Sequence, residues 1–156
     1  MKFKHTSVLL HETIDNLKPK NGGLYVDATF GGGGHARYLL SKIDTGTLIG
    51  FDQDEYAIKS AKLNFADLLE PDSEPKLKLV HDNFTNLQRD LVELGYSDGI
   101  DGIYYDLGVS SPQFDQADRG FSYRYNARLD MRMDQSQSLD AYQLVNTLSQ
   151  KELADI

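Results

Sequence analysis

Cysteine is absent from these 156 residues, so neither a disulfide nor a thiolate metal site can hold the fold, and a reducing, cytoplasmic setting is expected. Long apolar runs are missing as well. No stretch approaches the roughly 18 residues that a membrane-spanning helix needs, and the opening Met1-Lys2-Phe3-Lys4-His5 is not followed by a signal-type apolar core. No membrane partner is expected. Positive charge is in deficit, with 16 Lys and Arg against 24 Asp and Glu and a net charge of −8. That balance argues against a general nucleic-acid coating protein, whose affinity comes from neutralising phosphates, but it leaves room for a local basic patch. His5, His11, His35 and His81 lack metal-ligand spacing, so no metal site is expected. No repeat or low-complexity tract interrupts the chain, and its length suits one α/β domain with a real core.

What the chain does have is the stretch Val26-Asp27-Ala28-Thr29-Phe30-Gly31-Gly32-Gly33-Gly34-His35. Leu24-Tyr25-Val26 before it reads as a buried strand. His35 to Ile43 after it reads as a helix with Ala36, Leu39, Leu40 and Ile43 on one side. Strand, glycine run and helix form the opening unit of a nucleotide-binding α/β domain, where backbone passes close to a ligand. The alternative, a flexible linker, sits poorly between an apolar strand and an amphipathic helix. A second strand, Thr47 to Phe51, runs into Asp52, which lies 21 positions after Gly31. An acid about 20 positions on is where such units bind ribose hydroxyls. A plain surface carboxylate at a strand end is the other reading of Asp52.

Asp27 ends the first strand just before the turn. A pyrophosphate on the helix N-terminus would be repelled by it, whereas a cationic ligand would not. S-adenosylmethionine has adenosine without phosphate and carries a sulfonium and an ammonium group. Asp27 therefore favours that cofactor over a nicotinamide dinucleotide, although it could equally cap the loop amides.

The βα alternation continues. Glu55 to Leu69 has a helical pattern closed by Pro71, and Leu77 to Val80 is a third strand leading to Asp82. Leu87, Leu91, Val92 and Leu94 mark another helix stopped by Gly95, and Ile103-Tyr104-Tyr105 is a fourth strand ending at Asp106. The expected fold class is α/β, Rossmann-like, with an incomplete parallel sheet in the order 3-2-1-4. Asp27, Asp52, Asp82 and Asp106 then share one rim at the carboxyl ends of the strands.

Beyond Asp106 the composition shifts. Arg119 to Arg132 holds four arginines and one acid in an otherwise acidic chain, with Phe121, Tyr123 and Tyr125 interleaved. Guanidinium planes and rings stack on unpaired bases, and arginine forks bind phosphate. Arg119, Phe121, Tyr123, Arg124, Arg128 and Arg132 are thus candidate RNA contacts. A folded loop whose arginines pair with the rim acids, and whose aromatics are core, is the competing reading.

Several motifs together carry a resemblance: Gly-Gly-Gly-Gly-His at 31–35, Asp106-Leu-Gly-Val-Ser-Ser-Pro-Gln113, Arg119-Gly-Phe-Ser122, Leu129-Asp-Met-Arg-Met-Asp134, and the opening His5-Thr-Ser-Val-Leu-Leu-His-Glu12. Over essentially its whole length the chain resembles the bacterial 16S ribosomal RNA cytosine-N4 methyltransferases, the MraW family. The resemblance implies a class I methyltransferase with S-adenosylmethionine as donor and a cytosine N4 amino group in 16S rRNA of the small ribosomal subunit as acceptor. It implies cofactor contacts from Gly33, Gly34, His35, Asp52, Phe84, Asp106 and Gln113. Phe84 would lie against the adenine, for which a flat apolar face is suited, and Asp106 near the reactive end. Phe84 and Gln113 rest mainly on the resemblance.

The acceptor amino group is conjugated with its ring and is a poor nucleophile. A hydrogen-bond acceptor that takes up developing positive charge helps it attack in line. Asp106 is the catalytic candidate, with a purely cofactor-binding role as its alternative. In the resembling family a helical domain is inserted after Asp-Met-Arg-Met-Asp, and the chain then returns to finish the sheet. Residues 1–134 are therefore expected to be the N-terminal part of the methyltransferase domain, and 135–156 the start of the inserted helical domain in a truncated chain. The fourth strand would be left as an edge able to pair with another copy, so homo-oligomers are expected. Weak or absent turnover by this portion is expected too. A non-catalytic cofactor- or RNA-binding module is the alternative function, and a nicotinamide-dependent oxidoreductase a third, disfavoured by Asp27.

Overall fold

The computed structural model describes residues 7–70 and 72–156, so His5 and Thr6 of the N-terminal motif, and Pro71 as a helix stop, lie outside the described residues. The chain resolves into two compact units, Met1–Leu107 and Gly108–Ile156. The expected division after Asp134 falls inside the second.

The first unit begins with helix α1 (Leu10–Leu17), followed by strand β1 (Leu24–Asp27), helix α2 (Gly34–Leu40) and strand β2 (Thr47–Asp52). Helix α3 (Glu55–Asn64), strand β3 (Lys76–His81), helix α4 (Leu87–Glu93) and strand β4 (Gly102–Tyr104) complete it. The strands are all parallel and ordered β3-β2-β1-β4, as the βα alternation predicts for a Rossmann-like sheet. Alternate residues feed opposite faces. Tyr25, Leu48, Leu77 and Tyr104 join Ile14, Leu39 and Phe65 on one side, while Val26, Ile49 and Phe51 meet Leu91 on the other. Burial on both faces is what parallel sheets require, and it explains why these strands read as continuous apolar runs.

Two boundaries differ from expectation. The helix predicted to run to Leu69 stops at Asn64, because Phe65 leaves helical geometry (φ −126°) and drops its ring into the core. A 3-10 turn, Ala66–Leu68, follows. The fourth strand covers Gly102–Tyr104 rather than 103–105, so Tyr105 already belongs to the loop.

The second unit is built differently. It holds three short helices, α5 (Ser111–Asp115), α6 (Ala141–Thr147) and α7 (Gln150–Ala154), each opened by a capping box. The helical pattern expected from Ser138 onward is therefore interrupted at Leu148-Ser149. Its buried side chains are polar: Gln113, Arg119, Asp130 and Asp140. Among the described residues no helix is long and apolar enough to cross a membrane.

Candidate functional site

The loop Ala28–Gly33 joins β1 to α2 at the carboxyl edge of the sheet. Backbone bonds tie it on both sides: the Ala28 amide donates to the Tyr104 carbonyl, and the Phe30 amide to the Phe51 carbonyl. Three strand-end acids complete the stitching. Asp27 Oδ1 accepts from the Thr29 amide at 3.1 Å, and Asp52 Oδ2 accepts from the Gly31 amide at 2.7 Å. The Asp106 amide donates to Thr29 Oγ1 at 2.7 Å. Asp27, Asp52 and Asp106 thus converge on the three residues from Thr29 to Gly31. Asp82, the fourth expected rim acid, is held by Asn86 and by Arg89 of α4, which with a backbone amide keep its carboxyl below the usual range.

The glycines divide by function. A side chain at Gly32 would meet nothing within 4 Å, so a ligand can approach the backbone there. At Gly33, which opens α2 at φ +73°, a Cβ would strike the rings of Phe65 and Phe30 at 2.6 and 2.9 Å. At Gly34 it would strike Ser7. Two of the four therefore make room for the protein's own side chains. Phe30, buried and edge-on to Phe65 at 5.4 Å between ring centres, anchors the loop in the core. The sequence reading passed over both Phe30 and Thr29, although an aromatic inside a glycine run is a visible signal.

Of the two readings of Asp27, a carboxylate facing a cationic ligand and a cap on the loop amides, the structure shows the cap: Asp27 is fully buried, accepting from the Tyr104 hydroxyl at 2.8 Å as well as from Thr29. Burial, with the fields of Asp52 and Asp106, pushes its carboxyl up to about 7 against the pull of those two donors. The Tyr104 hydroxyl is itself raised well above its usual range by burial and by Asp27, so it stays the proton donor. Burial also raises Asp52, opposed by the amides of Asp54 and Gly31.

His35 is buried. Its Nε2 donates to the Val8 carbonyl at 3.0 Å, since a carbonyl can only accept. Nδ1 then faces Asp106 Oδ2 at 3.7 Å. Asp106 is held at its amide and half-exposed at its carboxylate, the arrangement of a group offered outward. Phe84 stands edge-on to Tyr105, with 5.5 Å between ring centres. Tyr105 escaped the sequence reading. In the Tyr104-Tyr105 doublet strand alternation turns the first inward, and the second remains half-exposed.

In the second unit Gln113 is buried, and its Oε1 accepts from the Ser110 amide as part of the capping box of α5. Arg119 is buried too, its guanidinium donating to the carbonyls of Arg132 and Met133 and lying over Phe121. Arg128 pairs with Asp140 at 2.8 Å, and Arg132 grips Asp130 through two nitrogens at 2.9 and 2.6 Å. Arg128 and Arg132 thus pair with acids of their own segment. Tyr123 is almost fully exposed (97%), and Arg124 is exposed as well, its amide donating to Ser122 Oγ.

Residues 2–156 match the MraW methylase family. The chain belongs to that family. It is 92% identical over its full length to a Lactobacillus helveticus protein named ribosomal RNA small subunit methyltransferase H, covering 50% of that relative. A protein of the same name from Lactobacillus gasseri is 79% identical over the same span, again covering 50% of the relative. One from Oenococcus oeni is 55% identical over 99% of this chain and 48% of the relative. The chain spans about half the length of the curated relatives it matches.

Between Val26 and Ala36 there is no lysine or arginine to hold a pyrophosphate. The backbone is open at Gly32, and the surrounding field is acidic. Such surroundings favour a cation over a phosphate group.

Proposed function

We propose that this chain supplies the cofactor-binding part of a cytoplasmic enzyme that methylates the N4 amino group of a cytosine in 16S rRNA of the small ribosomal subunit, with S-adenosylmethionine as donor. The observation that carries the reading is one loop stitched by three strand-end acids and open at Gly32, on a chain of the MraW family. Gly33, Gly34 and His35 would present backbone and ring at the loop, Asp52 would take the ribose, and Phe84 the adenine face. When bound, the donor supplies a methyl group activated by its sulfonium.

The work of this chain's own residues is positioning and charge. Asp106, fixed at its amide by Thr29 and flanked by His35, offers a carboxylate that accepts a hydrogen bond from the acceptor amino group. That contact strengthens as positive charge grows on the nitrogen, so it stabilises the transition state more than the ground state. The loop fixes the in-line approach. Tyr123 and Arg124 present a stacking ring and a cation to unpaired RNA.

Two measurements test the reading. Calorimetry is expected to show binding of S-adenosylhomocysteine and none of NADH; the reverse overturns the cofactor assignment. Tritiated-methyl transfer to undermethylated small subunits is expected from a full-length relative and to fall by at least a hundredfold in its Asp106→Asn counterpart, with cofactor affinity kept. Equal transfer by that variant removes Asp106 from catalysis. Pairing of β4 edges between copies is part of the same proposal, and a clean monomer by light scattering at tens of micromolar (roughly where exposed edges pair) removes it.

A further inference from the structure

Asp27 is a buried acid that no step above uses. It sits on β1 directly beside Tyr104 of β4 in the sheet register. Its two oxygens take one donor each, the Tyr104 hydroxyl at 2.8 Å and the Thr29 amide at 3.1 Å. Thr29 in turn accepts from the Asp106 amide. A continuous path of hydrogen bonds therefore runs from Tyr104 through Asp27 and Thr29 to the backbone of the catalytic candidate.

The charged groups around Asp27 come from each neighbouring element. β2 contributes Asp52 and the loop after β4 contributes Asp106, both of which oppose its ionisation. From α2, His35 lies 5.8 Å from the Tyr104 ring and 3.7 Å from Asp106. Burial and these two neighbouring carboxyls let Asp27 keep its proton to a higher pH than a free carboxyl does, and a cation entering the same field opposes that.

We infer that Asp27 and Tyr104 are positioning residues that also separate the methyl donor from its product, because the ionised Asp27 that holds Thr29 and Asp106 is favoured by the donor's sulfonium and not by the neutral thioether left after transfer. This rests on reading the stitched loop as the S-adenosylmethionine site. A cation entering the acidic field lowers the proton affinity of Asp27, so donor binding releases a proton from it to solvent. Linkage is reciprocal: the donor binds more tightly as pH rises through the range where Asp27 loses its proton. The product lacks the sulfonium and gains little.

The test is calorimetry on this chain with S-adenosylmethionine and S-adenosylhomocysteine between pH 5.5 and 7.5. That window lies below the titration of a free α-amino group at about 8. Donor affinity is expected to improve about three- to tenfold across it, following one carboxyl shifted by up to about one pKa unit on binding; product affinity should change less than twofold. Repeating the donor titration in buffers of different ionisation enthalpy should show a net proton released near pH 7. In Asp27→Asn the donor and product profiles should become parallel. In Tyr104→Phe, which keeps the ring and removes a donor to the carboxylate, the donor profile should move to higher pH. Parallel profiles in the unaltered chain, or a Tyr104→Phe profile that superimposes on it, overturn the inference while leaving the cofactor assignment standing. Failure of both ligands to bind overturns both. If Asp27→Asn does not fold, the Tyr104→Phe shift decides.

Discussion

The two units of this chain solve the problem of staying folded in opposite ways. The first buries rings and aliphatic side chains on both faces of a parallel sheet, with Phe51, Phe65, Ile14, Leu39 and Leu48 fully enclosed. The second buries Arg119, Asp130, Asp140 and Gln113, and leaves Tyr142, Val145 and Leu139 about half-exposed. Apolar burial is non-directional. Arginine forks on carboxylates and carbonyls are directional, and their worth depends on every partner being present. The first kind of unit tolerates a change of charge, and the second does not.

The sharpest way to break this contrast is at Phe30, which joins the functional loop to the apolar core through Phe65 and lies over Gly50 of β2. Phe30→Ala should cost about 3–5 kcal/mol in the first unit, the usual range for deleting a buried ring. Phe30→Leu should recover more than half of that. Urea unfolding followed by Tyr fluorescence measures both. A loss under about 1 kcal/mol for the alanine variant would mean the loop is held by its hydrogen bonds alone.

How much of this was legible beforehand follows the same division. The alternation of apolar strands with helices of period 3.6 is a local signal, and it led correctly to the order β3-β2-β1-β4. The spacing from Gly31 to Asp52 is local too, and the structure joins those two residues directly. What escaped was non-local. That Asp27 is buried depends on Tyr104, 77 residues away, standing beside it in register. That Gly33 accommodates a protein ring depends on Phe65 leaving its helix. The partners chosen by Arg128 and Arg132 could not be read from composition, since Asp130 and Asp140 compete with every other acid of the chain. Asp106, Phe84 and Gln113 as site residues rest on motifs rather than on local periodicity.

Arg119→Met is the matching probe of the second unit. It removes donors from the Arg132 and Met133 carbonyls while keeping side-chain length. Losing a charged donor to two part-buried carbonyls should cost about 2–4 kcal/mol, read as faster amide exchange within residues 108–156. Amide exchange in β1 and β2 should stay unchanged. Equal loosening of both units would erase the distinction between them.

Acid should act on the units with opposite sign. Asp27 and Asp52 are raised by burial, so the folded first unit binds more protons than the unfolded chain above the ordinary carboxyl range. Its stability therefore rises as pH falls from about 7, where Asp27 titrates, toward 4. In the second unit Arg132 holds Asp130 below its usual value, and Arg128 does the same for Asp140. Their contribution is complete above the ordinary carboxyl range and is lost as pH falls below it. Exchange rates for separate amides between pH 3 and 7 distinguish the two, and parallel behaviour would contradict the assigned charge states.

The smallest effect on stability is expected where the second unit spends no energy on folding. Tyr123 exposes nearly all of its ring, so Tyr123→Ala should change stability by less than about 0.5 kcal/mol. If the ring is kept exposed for stacking on an unpaired base, the same change should weaken single-stranded RNA binding by about 1–3 kcal/mol, roughly five- to 150-fold. Arg124→Gln should instead weaken it uniformly across sequences and flatten its salt dependence, the mark of a lost phosphate contact. Fluorescence anisotropy with a labelled cytosine-containing oligoribonucleotide at two salt concentrations separates these outcomes. RNA affinity unchanged in both variants would remove this face from substrate recognition, while leaving the arginines that hold the unit together as they are.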